Sequence, residues 1–279
     1  MSNQDPSSQA FAPLGIVCKN RFPFTLACPS FVYPAGYVDN VRLLAPHVDE
    51  IQLLFFESRI QSLPSASLIR QLADLAVEGE ISYNVHLPSD VYPAHPDAAE
   101  RRRSIDALRQ VVECCAPLAP STFTLHLNQN PKDAPALSLP DWQASMVDSL
   151  KKILPSDVHG RRISVETLDY PFESAAPIIT ALDLSVCMDM GHLMVHDMDI
   201  GAFFDTWKDR IAVVHLHGVD GVRDHLPLNR LDDHRMRVVV DTLKRFNGGV
   251  CLEVYSRSGL EASLKHLENR WVELRNGSR

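Results

Sequence analysis

Six short β-type runs in this chain carry, at or near their C-terminal ends, a side chain able to hold a metal or move a proton. These are His86, His126, Glu166, Asp189, His215 and Glu253. Carboxylates gathered alone would repel one another and raise their own pKa values. Imidazoles alone would bring little charge. Together they offer neutral nitrogens and anionic oxygens, a donor set that suits divalent metals. Histidine-rich ligation favours zinc, with manganese and iron(II) also suited, over magnesium. Six ligands exceed what one tetrahedral zinc with an open position uses, and they fit two ions that share a bridging carboxylate.

Two flanking segments extend the set. Met188-Asp189-Met190-Gly191-His192 spaces Asp189 and His192 as DxxH, and the stretch Gly221 to Leu228 carries Arg223, Asp224 and His225. His192 and His225 could hold a third ion, with Asp224 as partner. His217 lies two residues beyond His215 and so shares its strand face, as an extra ligand or as a residue that supports the ligands from behind. Glu57, ending the run Phe55-Phe56-Glu57, is expected to hydrogen-bond substrate or orient a ligand. Arg257, just past the last run, is placed to meet a phosphate. His47, His95, His159, His234 and His266 fall in loops or on helices and are read as solvated.

Something must bring these ends together. Eight β-type runs recur, over 25–31, 50–56, 81–87, 122–127, 163–167, 184–190, 212–217 and 250–255. Between them lie amphipathic stretches at helical spacing, such as Leu68, Leu72, Leu75 and Ala76, or Met236, Val239, Val240 and Leu243. Several runs are almost wholly apolar, as parallel strands covered on both faces are. Strand–helix alternation implies βαβ crossovers and a parallel sheet. The span from Thr25 to Trp271 matches the ~250 residues of a (β/α)8 TIM barrel, whose chemistry sits at the C-terminal strand ends. An open doubly wound sheet usually announces itself by a Gly-rich first turn; the turn here is Pro29-Ser30-Phe31. The expectation is a single barrel domain over 14–279, preceded by a polar, disordered segment over 1–13. Asn128 to Pro140, rich in proline, is read as a long loop.

Composition narrows the function. A net charge of −8 over 279 residues disfavours a nucleic-acid backbone as partner. No apolar run approaches the ~18 residues of a membrane span, and the start of the chain lacks the marks of a secretory signal. The six cysteines form no CxxC pair and sit mostly in apolar runs, which fits reduced core thiols in a cytoplasmic protein.

The constellation resembles the xylose-isomerase-like TIM barrels, which include sugar isomerases and epimerases and the endonuclease IV type of abasic-site nuclease. In the isomerase and epimerase branch, the resemblance implies one metal held by Glu166, Asp189, His215 and Glu253. In the endonuclease branch it implies further histidines, matched by His86, His126, His192 and His225, and a three-zinc phosphodiesterase centre. The nuclease pattern has an Asp two residues before its loop histidine; here Arg223 stands at that place and Asp224 adjoins His225. Two or three divalent ions are therefore expected.

A narrower resemblance lies in Ala27-Cys28-Pro29-Ser30-Phe31-Val32-Tyr33-Pro34-Ala35, in Leu53-Leu54-Phe55-Phe56-Glu57-Ser58 and in His215-Leu216-His217-Gly218-Val219. These look like the cobamide-remodelling phosphodiesterases, which hydrolyse a phosphoester in the nucleotide loop of vitamin B12-type cofactors. That resemblance implies a metal-dependent hydrolase acting on a small-molecule phosphodiester. Glu166 would be the bridging carboxylate, and Glu253 would ligate and steer the nucleophile. Phe31, Val32, Tyr33, Val91, Tyr92 and Tyr255 would supply an apolar wall, with Glu57, Tyr33, His217 and Arg257 contacting substrate. The alternatives are a metal-dependent sugar isomerase or epimerase, with Glu166 and Glu253 as an acid/base pair across one ion, and an abasic-site nuclease.

Overall fold

The computed structural model describes residues 11–129, 131–154 and 159–276. Eight parallel strands close into a barrel: β1 (Thr25–Pro29), β2 (Glu50–Leu54), β3 (Ser82–His86), β4 (Phe123–Leu125), β5 (Ile163–Glu166), β6 (Ser185–Asp189), β7 (Ile211–Leu216) and, after a hairpin, β10 (Gly249–Leu252). β10 pairs with both β7 and β1, which completes the ring. Register aligns the chemistry at one rim: His86 faces Thr124, Glu166 faces Cys187, and Asp189 and Cys251 both pair with His215. The hairpin β8 (Gly218–Asp220) and β9 (Arg223–Leu226) rises directly after β7 and turns at Gly221, whose φ of +60° suits glycine.

Helices fill the crossovers: α1 (Tyr37–Leu44), α2 (Ala66–Gly79), α3 (Ala98–Cys115), α4 (Leu139–Ile153), α5 (Ala176–Ala181), α6 (Met190–Val195), α7 (Ile200–Trp207), α8 (Asp233–Leu243) and α9 (Arg257–Asn276). Short polar side chains fix most of their starts. Ser65, Asp97, Ser138, Asp189, Asp199 and Asp232 each accept a backbone N–H of the first turn. One crossover differs from the simple alternation, because α6 and α7 both lie between β6 and β7. The expected long loop ends at Ser138, where α4 is capped.

The apolar core lies between strands and helices, while the barrel interior is polar. Glu50 is buried near the closed end, accepting from Ser82 Oγ at 3.0 Å and Asn84 Nδ2 at 2.7 Å. The six cysteines are free thiols, five of them buried. Among the described residues, no helix is long and apolar enough to cross a membrane.

The segment expected to be disordered splits in two. Residues 1–10 lie outside the described residues. Phe11 to Pro13 are held: the Ala12 carbonyl accepts from Tyr33 Oη at 3.2 Å and from Arg257 Nε at 2.8 Å, and the Pro13 carbonyl accepts from Arg257 Nη2 at 2.7 Å. Further on, Phe22 and Phe24 stack at 4.9 Å and meet the edge of Trp271 from α9 at 5.6 and 5.4 Å. Trp271→Ala removes the common partner of both rings and is expected to cost about 3–5 kcal/mol. A denaturant midpoint indistinguishable from the parent's would refute this role for the cluster.

Candidate metal centre

The barrel delivers the predicted strand-end residues to one place, with Glu166 at the middle. Its Oε2 lies 2.9 Å from His126 Nε2 and 3.2 Å from His86 Nε2. Its Oε1 lies 3.5 Å from His215 Nδ1 and 3.6 Å from His192 Nδ1. Among the described residues, three groups with ligand atoms within 4.8 Å of one another share it: His86, His126 and Glu166; Glu166, Cys187 and His215; and Glu166, Asp189, His215 and Glu253. The structure thus separates the two oxygens of one carboxylate between two histidine-bearing sites.

A fourth group joins His192, His217 and His225. The DxxH spacing acts through helix capping. Asp189 accepts the His192 N–H at 2.8 Å, so α6 starts at the rim and His192 falls in its first turn. His217 is fully buried and sends Nε2 to Asp189 Oδ1 at 3.1 Å, while its Nδ1 accepts the His225 N–H at 2.9 Å. This ring therefore ties Asp189 to the hairpin from behind the ligands, as its strand position suggests, and being fully buried it is not the substrate contact that the cobamide resemblance implies. Gly191 makes room for it: a Cβ there would fall 1.9 Å from His217 Cε1. The same N–H bond holds His225 at φ 48°, a left-handed conformation uncommon for histidine. Asp224 stays at the margin, 4.0 Å from His192 Nε2 and 43% exposed.

Hydrogen bonds set which ring nitrogen each ligand presents. Nδ1 of His86 donates to the Leu87 carbonyl at 2.9 Å, Nδ1 of His192 to Thr167 at 2.9 Å, and Nδ1 of His225 to Glu253 at 3.2 Å. All three expose Nε2 as a lone pair. His215 is reversed, with Nδ1 turned to the carboxylates and Nε2 2.8 Å from the amide of fully buried Gln52. With Nδ1 free to ligate, Nε2 carries the proton, and a half-turn of the Gln52 amide gives it the oxygen as acceptor. The sequence reading passed over Gln52. Its signal was a polar residue between Ile51 and Leu53 on a strand otherwise apolar at those positions.

The donor set fits divalent ions. His215 Nδ1 and Glu253 Oε1 are buried and lie 3.1 Å apart, yet among the described residues neither has a hydrogen-bond partner. A cation between them satisfies both atoms where a proton is badly aligned.

The remaining candidates are placed elsewhere. Tyr33 is buried with its hydroxyl on Ala12, and the Arg257 guanidinium is spent on Ala12, Pro13 and Glu261, so neither reaches the centre. Glu57 is exposed and accepts from Ser62 Oγ at 2.9 Å. Val32 and Val91 are buried and form no wall. The aromatic surface comes from Tyr255, one of the expected residues, and from Phe56, which was not among them, with the rings at 6.1 Å; Phe56 meets the edge of His86 at 5.3 Å and Tyr255 packs on His225 at 5.1 Å. Phe31 is exposed, as expected. His47 and His95 are buried rather than solvated: His47 Nδ1 lies 2.6 Å from the Ile16 carbonyl, and His95 pairs with Asp133.

Burial alone would push Glu166 up, but His126 and His215 outweigh it and hold the carboxyl well below its ordinary 4.5. Asp189 is likewise lowered from 3.8, burial being overcome by His217 and His192. Burial pulls the rings of His86, His192 and His215 down, and their acidic neighbours, with Cys187 at His215, lift all three above 6.5. The lowered carboxylates add stability that is present above their ordinary values and lost as pH falls. The raised histidines add stability that is complete below 6.5 and lost as pH rises through their folded values. Metal-free protein should therefore melt highest at about pH 5–6.5 and lose stability on either side. Zinc, which takes the neutral rings, should reverse the alkaline loss. A metal-free Tm that climbs from about pH 6 to 8 would contradict the assignment.

The xylose isomerase-like TIM barrel family matches residues 47–273. Comparison with curated proteins finds no match to the sequence. Among solved structures, the chain is similar to a D-tagatose 3-epimerase-like protein, with a TM-score of 0.75 and 18% identity over 91% of this chain and 99% of that one. It is also similar to the IolI protein with a bound zinc atom, at 0.66 and 15% over 90% and 96%. A third is an AP endonuclease of family 2 from Brucella melitensis, at 0.63 and 12% over 88% and 98%. Identities this low speak for the fold alone. The family match spans most of the barrel and includes every residue of the metal centre, so this chain belongs to the xylose isomerase-like TIM barrel family.

Proposed function

We propose that this protein is a metal-dependent phosphodiesterase acting on a small-molecule phosphodiester, with the nucleotide-loop phosphoester of a cobamide as its substrate. The observation that carries the reading is the division of Glu166 between two ligand groups, one with His86 and His126 and one with Asp189, His215 and Glu253. Divalent ions held there, zinc by the chemistry of the donors, would supply positive charge for an anionic phosphate and acidity for a water. Glu166 would keep the two groups together. Glu253, 3.1 Å from His215 Nδ1, would orient a nucleophile at the rim. His192 and His225 would hold a further ion beside the hairpin. Exposed Phe31, with the Phe56 and Tyr255 rings, would give the apolar body of a corrinoid a surface next to the phosphate. The acidic net charge disfavours duplex DNA as substrate.

A second reading has a specific support. Glu166, Asp189, His215 and Glu253 make a complete one-metal site by themselves, and the similar solved structures include several sugar epimerases. In that reading Glu166 and Glu253 would move a proton at the carbon beside a carbonyl, and His86 and His126 would have no metal to serve. The comparisons lean towards this reading; the two extra histidine groups lean towards hydrolysis.

Incubation of zinc-reconstituted protein with adenosylcobalamin, D-tagatose and an abasic duplex, with products read by mass spectrometry, separates the readings. Hydrolysis of the cobamide to a cobinamide-type product, with sugar and duplex unchanged, is expected. Epimerised sugar with intact cobamide would establish the second reading, and efficient strand cleavage would establish a nuclease.

A further inference from the structure

Gln52 reaches from β2 across the barrel interior to two residues on other strands. Its Nε2 lies 2.8 Å from His215 Nε2, and its Oε1 accepts from Cys251 Sγ at 3.5 Å. His215 and Cys251 are register partners on β7 and β10, so one amide spans a neighbouring pair. All three side chains are fully buried. Burial removes bulk water as an alternative partner, so the two ends of the amide must satisfy both neighbours. In this arrangement the amide N–H donates to His215 Nε2, and a neutral ring then carries its proton on Nδ1. That nitrogen is the one that faces the centre, 3.1 Å from Glu253 Oε1 and 3.5 Å from Glu166 Oε1. An ion held by Glu166, Asp189, His215 and Glu253 needs Nδ1 as a lone pair. The ring proton must then sit on Nε2, where it would meet an amide N–H head-on.

We propose that Gln52 is a positioning residue whose amide turns over when His215 takes up a metal ion, with Cys251 as the partner that allows both orientations. With the ion bound, Gln52 Oε1 accepts the His215 Nε2–H and Gln52 Nε2 turns to the Cys251 sulfur. A thiol suits that place because it is a weak donor and a weak acceptor, so it pairs with either atom of the amide. The neutral ring keeps one proton throughout, moved from Nδ1 to Nε2. A side chain without an oxygen at position 52 would leave that N–H buried and unpaired in the metal-bound state alone, and so would weaken metal binding more than folding. The inference rests on His215 as a ligand, which the hydrolytic and the epimerase readings share, and is independent of the substrate.

The test is zinc titration of the metal-free protein against a competing chelator, for the parent, Gln52→Leu and Gln52→Glu, with nitrogen-15 spectra of the His215 ring in the zinc-loaded parent. Gln52→Met replaces Gln52→Leu if the latter folds poorly. Leucine removes the oxygen acceptor, whereas glutamate supplies a permanent one. The zinc Kd should rise about ten- to hundredfold in Gln52→Leu and stay within about threefold of the parent in Gln52→Glu. The zinc-loaded ring should show a protonated Nε2 and a metal-bound Nδ1. Zinc binding by Gln52→Leu equal to the parent's would overturn the proposal, as would equal losses in Gln52→Leu and Gln52→Glu, which would mark a packing role. A zinc-loaded parent with Nε2 as the metal-bound nitrogen would overturn it as well. Failure of the cobamide reading leaves each of these outcomes unchanged.

Discussion

Glu166 is a buried anion at the mouth of the barrel, and the rest of the site is arranged to hold it. Only 1% of its surface is exposed, so its charge cannot rely on water. An unpaired buried carboxylate would be neutralised or would destabilise the fold. Four imidazoles, from His86, His126, His192 and His215, come within 3.6 Å of its oxygens. They arrive from β3, the turn after β4, α6 and β7, and the closed parallel barrel sets these around Glu166 at the end of β5. The shared carboxylate also links the two ligand groups, so a change at either is felt by the other.

A second layer of hydrogen bonds turns this electrostatic cluster into a set of candidate ligands. Main-chain carbonyls of Leu87, Thr167 and Glu253 hold the protons of three histidines on Nδ1, and Gln52 takes the opposite nitrogen of His215. These contacts are part of the barrel framework itself and do not depend on mobile side chains. The hairpin joins the arrangement through His217, which bonds Asp189 on one side and the His225 backbone on the other. Gly191 is the steric condition for that link.

Much of this was legible in the sequence. Apolar runs of strand length, six of them with a His, Asp or Glu at or near the end, located all eight barrel strands to within about three residues, and parallel pairing then required the ends to meet. DxxH was legible because Asp189 acts as a helix cap, a local rule. What failed depended on side-chain direction in loops, which periodicity does not encode. Tyr33 and Arg257 lie close to the rim in sequence, yet both turn to the N-terminal segment, whose carbonyls compete for their donors. His47 and His95 read as loop residues, but each is buried against a specific acceptor. Gln52 was hidden because a polar residue facing a barrel interior looks like an interruption of an apolar strand until its partner across the barrel is known.

The central claim is that one carboxylate serves two metal sites. Metal analysis of zinc-reconstituted protein after exhaustive dialysis, on the parent chain and on Glu166→Gln, tests it most directly. An amide cannot supply the anionic charge to both groups. At least two ions per chain in the parent, falling to one or fewer in the variant, is the expected result. One ion or fewer in the parent, or two retained by Glu166→Gln, would contradict it.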